Sequence, residues 1–355
     1  MRYGIALATL ILALTELAAP AIAAPRPSSL DLRVDSISRT ALLGEPVTVL
    51  VDPARQAAAV RRAHWTVVGW VLIQLFEAGA LFWLWSSGKG AQMRDWLRRR
   101  FGREWQVRFL FGAALALVAR LAAFLPSFYL YRVDRTLDLT FMLTRWWFAF
   151  WLFHTIVAMA VAGFIATVVL WLASRTHQWY VYTIAGVLAV SIAYTYATPM
   201  LFPTFAGSTP PELQFAAAYR LGHVAHGDRL SIALIVGGVI IVFSALAVAI
   251  ADRIRFRRDD DPLARLAIVG SLLALVYLVA VPVRNAALRS YDLDADRYAV
   301  AATRDPSAAV RALVRTADQR MEEVCPEWTA TLFLYTDPAI GTRVAAINRV
   351  PNACP

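Results

Sequence analysis

Six long apolar runs constrain this chain more than any other feature of it. They fall at about 65–86, 108–130, 147–173, 179–203, 231–251 and 265–283. Apolar runs of about 18 residues or more are long enough to cross a bilayer. Inside hydrocarbon every backbone N–H and C=O must be bonded within its own segment, which leaves the helix as the structure each run can adopt. The expected fold is an all-α polytopic membrane protein of about six transmembrane helices, preceded by a signal peptide and carrying a small helical extramembrane part. Composition agrees, with 59% hydrophobic and 17% charged residues against about 25% charged in soluble domains.

The charge pattern gives an orientation. The formal net charge of +10 is carried by arginine, Lys89 being the sole lysine. The arginines flank the apolar runs, so a bilayer explains them better than nucleic acid does, and there is no zinc-finger spacing or phosphate loop. Lys89, Arg94, Arg98, Arg99, Arg100, Arg103 and Arg108 fill the first connection; Arg175 lies in the third; Arg253, Arg255, Arg257 and Arg258 lie in the fifth. Odd connections are therefore expected to be cytoplasmic. The 204–230 segment and the tail from Arg284 to Pro355 then lie outside, in the periplasm if the membrane is a bacterial inner (plasma) membrane. Met1–Ala23 reads as a signal peptide, with Arg2 at its start, an apolar stretch from Ile5 to Leu14 and Ala21-Ile22-Ala23 as a cleavage site; an uncleaved anchor is the alternative. Ala24–His64 follows as an amphipathic lead-in on the outer side. Cys325 and Cys354, the two cysteines, both lie in the tail, where an oxidising compartment would let them pair; two free thiols are the other reading.

Ionisable groups within spans are costly and mark structure or function. Glu77 and Arg120 lie near the middle of the first two spans, at similar depth if these are antiparallel neighbours. They either pair or line a water-filled cavity. His154 in the third span is expected to hydrogen-bond between helices, with a metal ligand as the alternative. Trp83-Leu-Trp85, Trp146-Trp147 and Trp179-Tyr180 lie at span ends, as an interfacial aromatic belt requires.

Two polar stretches interrupt this pattern. The first is Phe215-Ala-Ala-Ala-Tyr-Arg-Leu-Gly-His-Val-Ala-His-Gly-Asp228. It has the outline of the zinc-protease helix H-E-x-x-H, in which two imidazoles four residues apart bind the metal and the Glu activates its water. Here Tyr219 and Arg220 stand in place of the first His and the Glu, and His223 in place of the second His. The second stretch is Leu288-Arg-Ser-Tyr-Asp-Leu-Asp-Ala-Asp-Arg-Tyr-Ala-Val300. Asp292 and Asp296 are four apart, on one helix face; a solvated helix start is the plainer account of such acids.

In their order along the chain these stretches resemble the type I CaaX prenyl protease family, integral-membrane zinc metallopeptidases related to the heat-shock membrane protease branch. Pro199-Met-Leu-Phe202 is similar to the family's Pro-Leu-Phe-Asn, and Leu221-Gly-His223 to the end of its zinc helix. His226-Gly-Asp228 is similar to a Gly-Asp of the heat-shock branch. Leu288-Arg289 with Asp292 and Asp296 is similar to S-R-x-x-E-x-x-A-D, which sets Asp292 at the third zinc ligand. Pro126-Ser-Phe-Tyr129, Asp134-Arg135, Tyr335-Thr-Asp-Pro338 and Arg343 match further motifs, so the likeness runs over about residues 45 to 348. The resemblance implies a membrane domain over 24–203 and an altered metallopeptidase domain over 204–355.

The departures lie where the chemistry would be. The first ligand is Tyr219, the base is Arg220, the third ligand is the shorter Asp292, and Asp337 replaces a family His. The soluble insert before the zinc helix is missing. Loss of a positioned general base removes about 10²- to 10⁴-fold in rate, and a catalytic zinc normally has three protein ligands. Three readings follow. In the preferred one the chain is a pseudoprotease whose scaffold binds a membrane or lipidated peptide, with the lipid bilayer as its other partner. In the second, His223, His226 and Asp292 (or Asp228) hold zinc in an active endopeptidase; the plainer account of the two imidazoles is that His223 is hydrogen-bonded in a polar cleft and His226 is an exposed helix-end residue. In the third, the protein is a structural assembly partner. Glu77, Arg120, Arg289 and Asp296 are expected to line the cavity or support it.

Overall fold

The structure, a computed structural model, describes residues 34–137, 139–201, 209–254, 261–352 and 354, with side chains at 198–201 left aside. The expected signal segment, the Pro199–Phe202 side chains and Arg255, Arg257 and Arg258 lie outside the described part. The protein is a polytopic membrane protein, all-helical among the described residues, six of whose described helices are long and apolar enough to span a bilayer.

The chain builds short helices α1 (Arg39–Gly44) and α2 (Val47–Leu50), then the first span α3 (Pro53–Ser86). Helix α4 (Lys89–Arg100) turns the chain round into α5 (Glu104–Ala122), continued by α6 (Phe124–Thr136). The remaining spans are α7 (Thr144–Arg175), α8 (Trp179–Leu201), α10 (Asp228–Arg253) and α11 (Pro262–Thr303). Between α8 and α10 lies α9 (Pro210–Ala225), and after α11 come α12 (Pro306–Arg320), α13 (Trp328–Phe333) and α14 (Ile340–Asn348).

Three of these helices start on the same two letters. Asp52-Pro53, Asp261-Pro262 and Asp305-Pro306 open α3, α11 and α12, each Asp accepting one or two backbone N–H groups of the first turn. Such caps satisfy orphaned donors, and proline at the first helical position has no N–H to lose. The spans pack along the neighbour order α7–α5–α3–α11–α10–α8. At the α5–α7 crossing small residues bring the backbones together. A Cβ on Gly112 would lie 2.7 Å from the Ala162 carbonyl oxygen, and one on Gly163 would lie 2.7 Å from that of Phe109, the usual way membrane helices gain close contact.

Beyond the spans, one end of the molecule carries an extramembrane lobe. Its core joins Val34, Leu42, Val47, Leu50 and Val51 to Phe215 and Tyr219 of α9, Ala295 and Ala299 of α11, and Leu313 and Val314 of α12. The described part of the expected amphipathic lead-in thus contributes to the core of this lobe. At the lobe's centre Arg315, 1% exposed, meets both oxygens of Glu212 (0% exposed) at 3.1 Å and Asp35 at 2.6 Å. Arg55 donates to the Asp318 carbonyl, while Gln56 bonds the Glu322 carbonyl and the Val324 N–H; α3 is thereby strapped to the lobe before it enters the membrane. Cys325 and Cys354 are disulfide-bonded. Closing a chain separation of 29 residues is worth about 3–4 kcal/mol in the chain-entropy account. Reduction, or Cys354→Ser, is expected to lower the lobe's denaturation midpoint accordingly; an unchanged midpoint would show that the link constrains nothing.

Several sequence expectations need correction. The helix that carries the first span begins at Pro53, well before the apolar run near 65. The second ends at Ala122, where Ala123 bonds back to Ala119 and Leu121 and α6 starts afresh. His154 does not bridge helices: its Nδ1 pairs with the Phe150 carbonyl of its own turn at 2.8 Å, and its ring lies against Phe150. Glu77 and Arg120 feel each other's charge but form no ion pair among the described residues, and the Arg120 Nε has no hydrogen-bond partner. Trp83 and Trp146 are exposed as a belt requires, whereas Trp179 is 2% exposed and packs among Leu170, Leu263 and Leu266.

Candidate functional site

Helix α9 positions the site. Two prolines start it, and Tyr219 and His223, four residues apart, present one face to α11. The helices can meet there because residue 222 is glycine: a Cβ would stand 3.1 Å from the Cα and 3.2 Å from the carbonyl oxygen of Ala295. On α11, Asp292 and Asp296 project from the facing surface, both buried and in the middle of a helix rather than at a solvated start. Gly227, at φ +69°, turns the chain sharply so that Asp228 opens α10 beside His223.

The side chains saturate one another. The Tyr219 hydroxyl donates to Asp292 Oδ1. His223 Nε2 lies 3.4 Å from that same oxygen, and its Nδ1 lies 3.1 Å from Asp228 Oδ2. Both ring nitrogens face carboxylates, an arrangement the doubly protonated ring satisfies fully. The edge of the Tyr219 ring packs on the imidazole at 4.7 Å between centroids. Arg343 of α14 grips Asp296 through two bonds of 2.7 Å and lies over the Tyr219 ring at 5.2 Å. Burial pulls the His223 pKa down, but the bonds and charges of Asp292 and Asp228 outweigh it and leave the imidazole above its ordinary value. Burial likewise holds the Tyr219 phenol far above its usual range, so it stays a donor.

The expected residues part company here. His223, Asp292, Asp228 and Tyr219 form one group, with Asp296 and Arg343 beneath it. His226 stands apart: it is exposed, its Nδ1 pairs with the Gly222 carbonyl at 2.9 Å and its ring meets Tyr298. Arg220 makes no hydrogen bond or ion pair among the described residues. Arg289 supports rather than lines the site, donating to the carbonyls of Thr331 at 2.7 Å and Tyr335 at 3.3 Å. Asn285, which holds the Leu332 carbonyl at 2.9 Å, and the Glu212–Arg315 pair were not singled out by sequence; lone polar letters among apolar neighbours are the signal that would have found them.

The donor set does not fit a zinc with three protein ligands. A ring whose two nitrogens point at separate carboxylates offers one of them at most to a common ion, Asp292 Oδ1 already holds the Tyr219 hydroxyl, and His226 faces elsewhere. No group of three or more His, Cys, Asp or Glu side chains among the described residues is arranged to hold a metal.

Next to this group, α9, α12 and the 321–340 segment enclose a cavity of about 220 Å³, lined by Tyr219, Arg343, Glu322, Glu323, Tyr335 and Asp337 among others. Asp337 touches the water of this cleft, yet enclosure by protein, helped by the charge of Asp292, pushes it up to about 6. Burial pushes Glu323 up to about 7 from an ordinary 4.5. A folded state that keeps a proton the unfolded chain has lost is destabilised as pH rises between those values. The raised His223 acts with the same sign, its contribution being lost as pH rises above the ordinary histidine range. Glu323→Gln is therefore expected to raise the melting temperature at pH 8 more than at pH 5, flattening the profile; an unchanged slope would remove Glu323 as its source.

Comparison with known proteins now adds to the geometry. Residues 175–350, a stretch just short of half the chain that contains α9 and the second half of the spans, match Peptidase family M48. The Protease HtpX homolog 1 of Streptomyces coelicolor is 31% identical over 146 residues, covering 37% of this chain and 47% of that protein. The Protease HtpX of a Psychrobacter species is 37% identical over 57 residues, covering 15% and 19%. The chain therefore spans less than half the length of the first relative and about a fifth of the second. These likenesses support an M48-type membrane peptidase relationship.

Proposed function

We propose that this protein is an altered M48-type membrane peptidase of the CaaX prenyl protease kind, which no longer cleaves and instead binds a membrane or lipidated peptide beside the α9–α11 face. It would do so in the inner membrane of a bacterium, with the lobe on the periplasmic side. The observation that carries this reading is the hydrogen-bonded set Tyr219–Asp292–His223–Asp228. Where the resemblance implies zinc, the protein's own hydroxyl and imidazole already occupy the Asp292 oxygen. Where it implies a general base, there is Arg220. A cation at that position opposes a divalent metal: at about 5 Å and an effective dielectric near 20 the repulsion is on the order of 6 kcal/mol.

What remains is a rigid binding surface. The Arg343–Asp296 pair fixes the floor, Arg289 and Asn285 fix the segment around Tyr335, and the adjoining cavity stays open. The experiment is direct. The purified full chain in detergent is incubated with fluorescein-labelled casein and added zinc, alone and after chelation. No zinc-dependent cleavage is expected; turnover that disappears in His223→Ala would overturn the reading in favour of an active endopeptidase.

A further inference from the structure

The hairpin between the first two spans carries its arginines in two sets. Arg94 bonds Asp95 at 2.8 Å, Arg98 bonds Asp261 at 2.6 Å, and Arg108 lies 3.9 Å from Glu104. Arg99, Arg100 and Arg103 are exposed and make no hydrogen bond or ion pair among the described residues. Helix register separates the sets. Leu97 is buried in the core with Leu84 and Val107, which leaves Lys89, Gln92, Trp96, Arg99 and Arg100 exposed on the outer side of α4. That outer side starts at the lipid-facing surface of the bundle. Trp83, in the last turn of α3 and more than half exposed, has the Lys89 ammonium 4.6 Å from its ring centroid. Only Ser87 and Gly88 join α3 to α4, and residues 101–103 join α4 to α5, so both ends of α4 stay at the level where the spans end. Trp96, on the outer side, and Trp105, in the first turn of α5, are also more than half exposed. Exposed tryptophans at the end of a span mark the headgroup boundary, and the arginines beside them are held at the depth of lipid phosphates.

We propose that the outer side of α4, continued by Arg103 and Trp105, binds the headgroup of an anionic phospholipid. Arg99, Arg100 and Arg103 donate to its phosphate oxygens, which the planar guanidinium matches two at a time. Trp96 and Trp105 lie against the glycerol and the upper part of the acyl chains. Charge selects the anionic headgroup, because the two acids of the hairpin, Asp95 and Glu104, are already taken up by Arg94, Arg98 and Arg108. The tryptophans select a lipid over nucleic acid or free phosphate, since an indole at a span end meets acyl chain on one side and headgroup on the other. The site lies at the far end of α3 from the lobe, 34 residues of helix away, and requires nothing of the peptide-binding role above.

The test titrates the full chain, in a neutral detergent, with phosphatidylglycerol and with phosphatidylcholine of the same acyl chains, and counts bound lipid by native mass spectrometry. Phosphatidylglycerol is expected to bind about 10- to 100-fold more tightly, about fivefold for each arginine at the surface. Arg99→Gln, Arg100→Gln and Arg103→Gln are each expected to cut that preference by about fivefold, and the triple variant to remove it. The melting temperature is expected to stay the same, because surface substitutions that break no bond change stability little. Equal binding of the two lipids by the parent, or a preference that survives the triple substitution, would overturn the proposal. Glycerophosphoglycerol, the same headgroup without acyl chains, is expected to compete only at far higher concentration. Displacement of the lipid at equal concentration would mean that the arginines take soluble phosphate, and the lipid assignment would be wrong. Tighter binding of a short single-stranded oligonucleotide than of phosphatidylglycerol would assign the surface to nucleic acid instead. No peptide or metal enters the measurement, so its outcome is separate from that of the casein assay.

Discussion

Replacing Arg315 by alanine lowers the stability of the lobe by about 3–5 kcal/mol, the cost of breaking a buried pair from one side. The substitution strips Glu212, itself 0% exposed, of the guanidinium that meets both its oxygens. Against a total of about 5–15 kcal/mol for a domain, that is enough to shift the melting temperature by on the order of 10 °C. The effect reaches the site because Glu212 sits in the first turn of α9, whose last turns carry Tyr219 and His223. The companion Glu212→Gln, Arg315→Met removes both charges and is expected to recover much of the loss, since a buried ion pair is often matched by neutral groups of similar size. Melts of the three proteins in detergent check this. A single variant as stable as the parent would show that the pair does not hold α9 in place.

The second large effect is a gain. Tyr219→His puts an imidazole where the tyrosine ring now lies, 4.7 Å from that of His223, with Asp292 facing both. Two histidines four apart and a carboxylate form a three-ligand zinc set of ordinary composition. Zinc uptake is expected to rise from near zero to about one equivalent per chain at micromolar free metal. Hydrolysis is not expected to follow, because Arg220 still stands in the base position. Adding Arg220→Glu is expected to bring zinc-dependent cleavage, and the base alone is worth about 10²- to 10⁴-fold. If Tyr219→His takes up no zinc, the α9–α11 face is not a remodelled metal site, and the account of its origin fails.

Much of the architecture could be read from the sequence, and the reasons are physical. A bilayer admits few backbone solutions, so six apolar runs translate into six helices with little ambiguity, and Asp-Pro pairs mark three of their starts. The boundaries were harder. Lobe residues that continue a span as one helix, such as Pro53–His64 before the first apolar run or Asp292–Thr303 after the last, differ from it in partners rather than in helix geometry. Val34, Leu42 and Val47 looked like an amphipathic lead-in because their neighbours in the core, Leu313 and Val314, lie more than 250 residues away. At the site, the four-residue spacings Tyr219–His223 and Asp292–Asp296 were readable as shared helix faces. Which way each imidazole turned was not. His223 and His226 are three apart and look equivalent on a helix, yet one faces carboxylates on α10 and α11 while the other bonds the carbonyl four residues behind it. That choice depends on Gly227 and the turn it permits, a tertiary outcome that spacing does not encode. Trp179 illustrates the same limit: a tryptophan at a span end suggested the interface, but the sharp turn at 176–178 sets it inside the bundle.

In the proposed function the protein's own hydroxyl and imidazole fill the place a metal would take. The most direct measurement is zinc bound per chain in the purified, detergent-solubilised protein, beside a His223→Ala control. Less than about a tenth of an equivalent is expected in both, since His223 and Asp292 alone fall short of the three ligands of a catalytic site. Near one equivalent in the parent, lost in His223→Ala, would contradict it and make this a working zinc site.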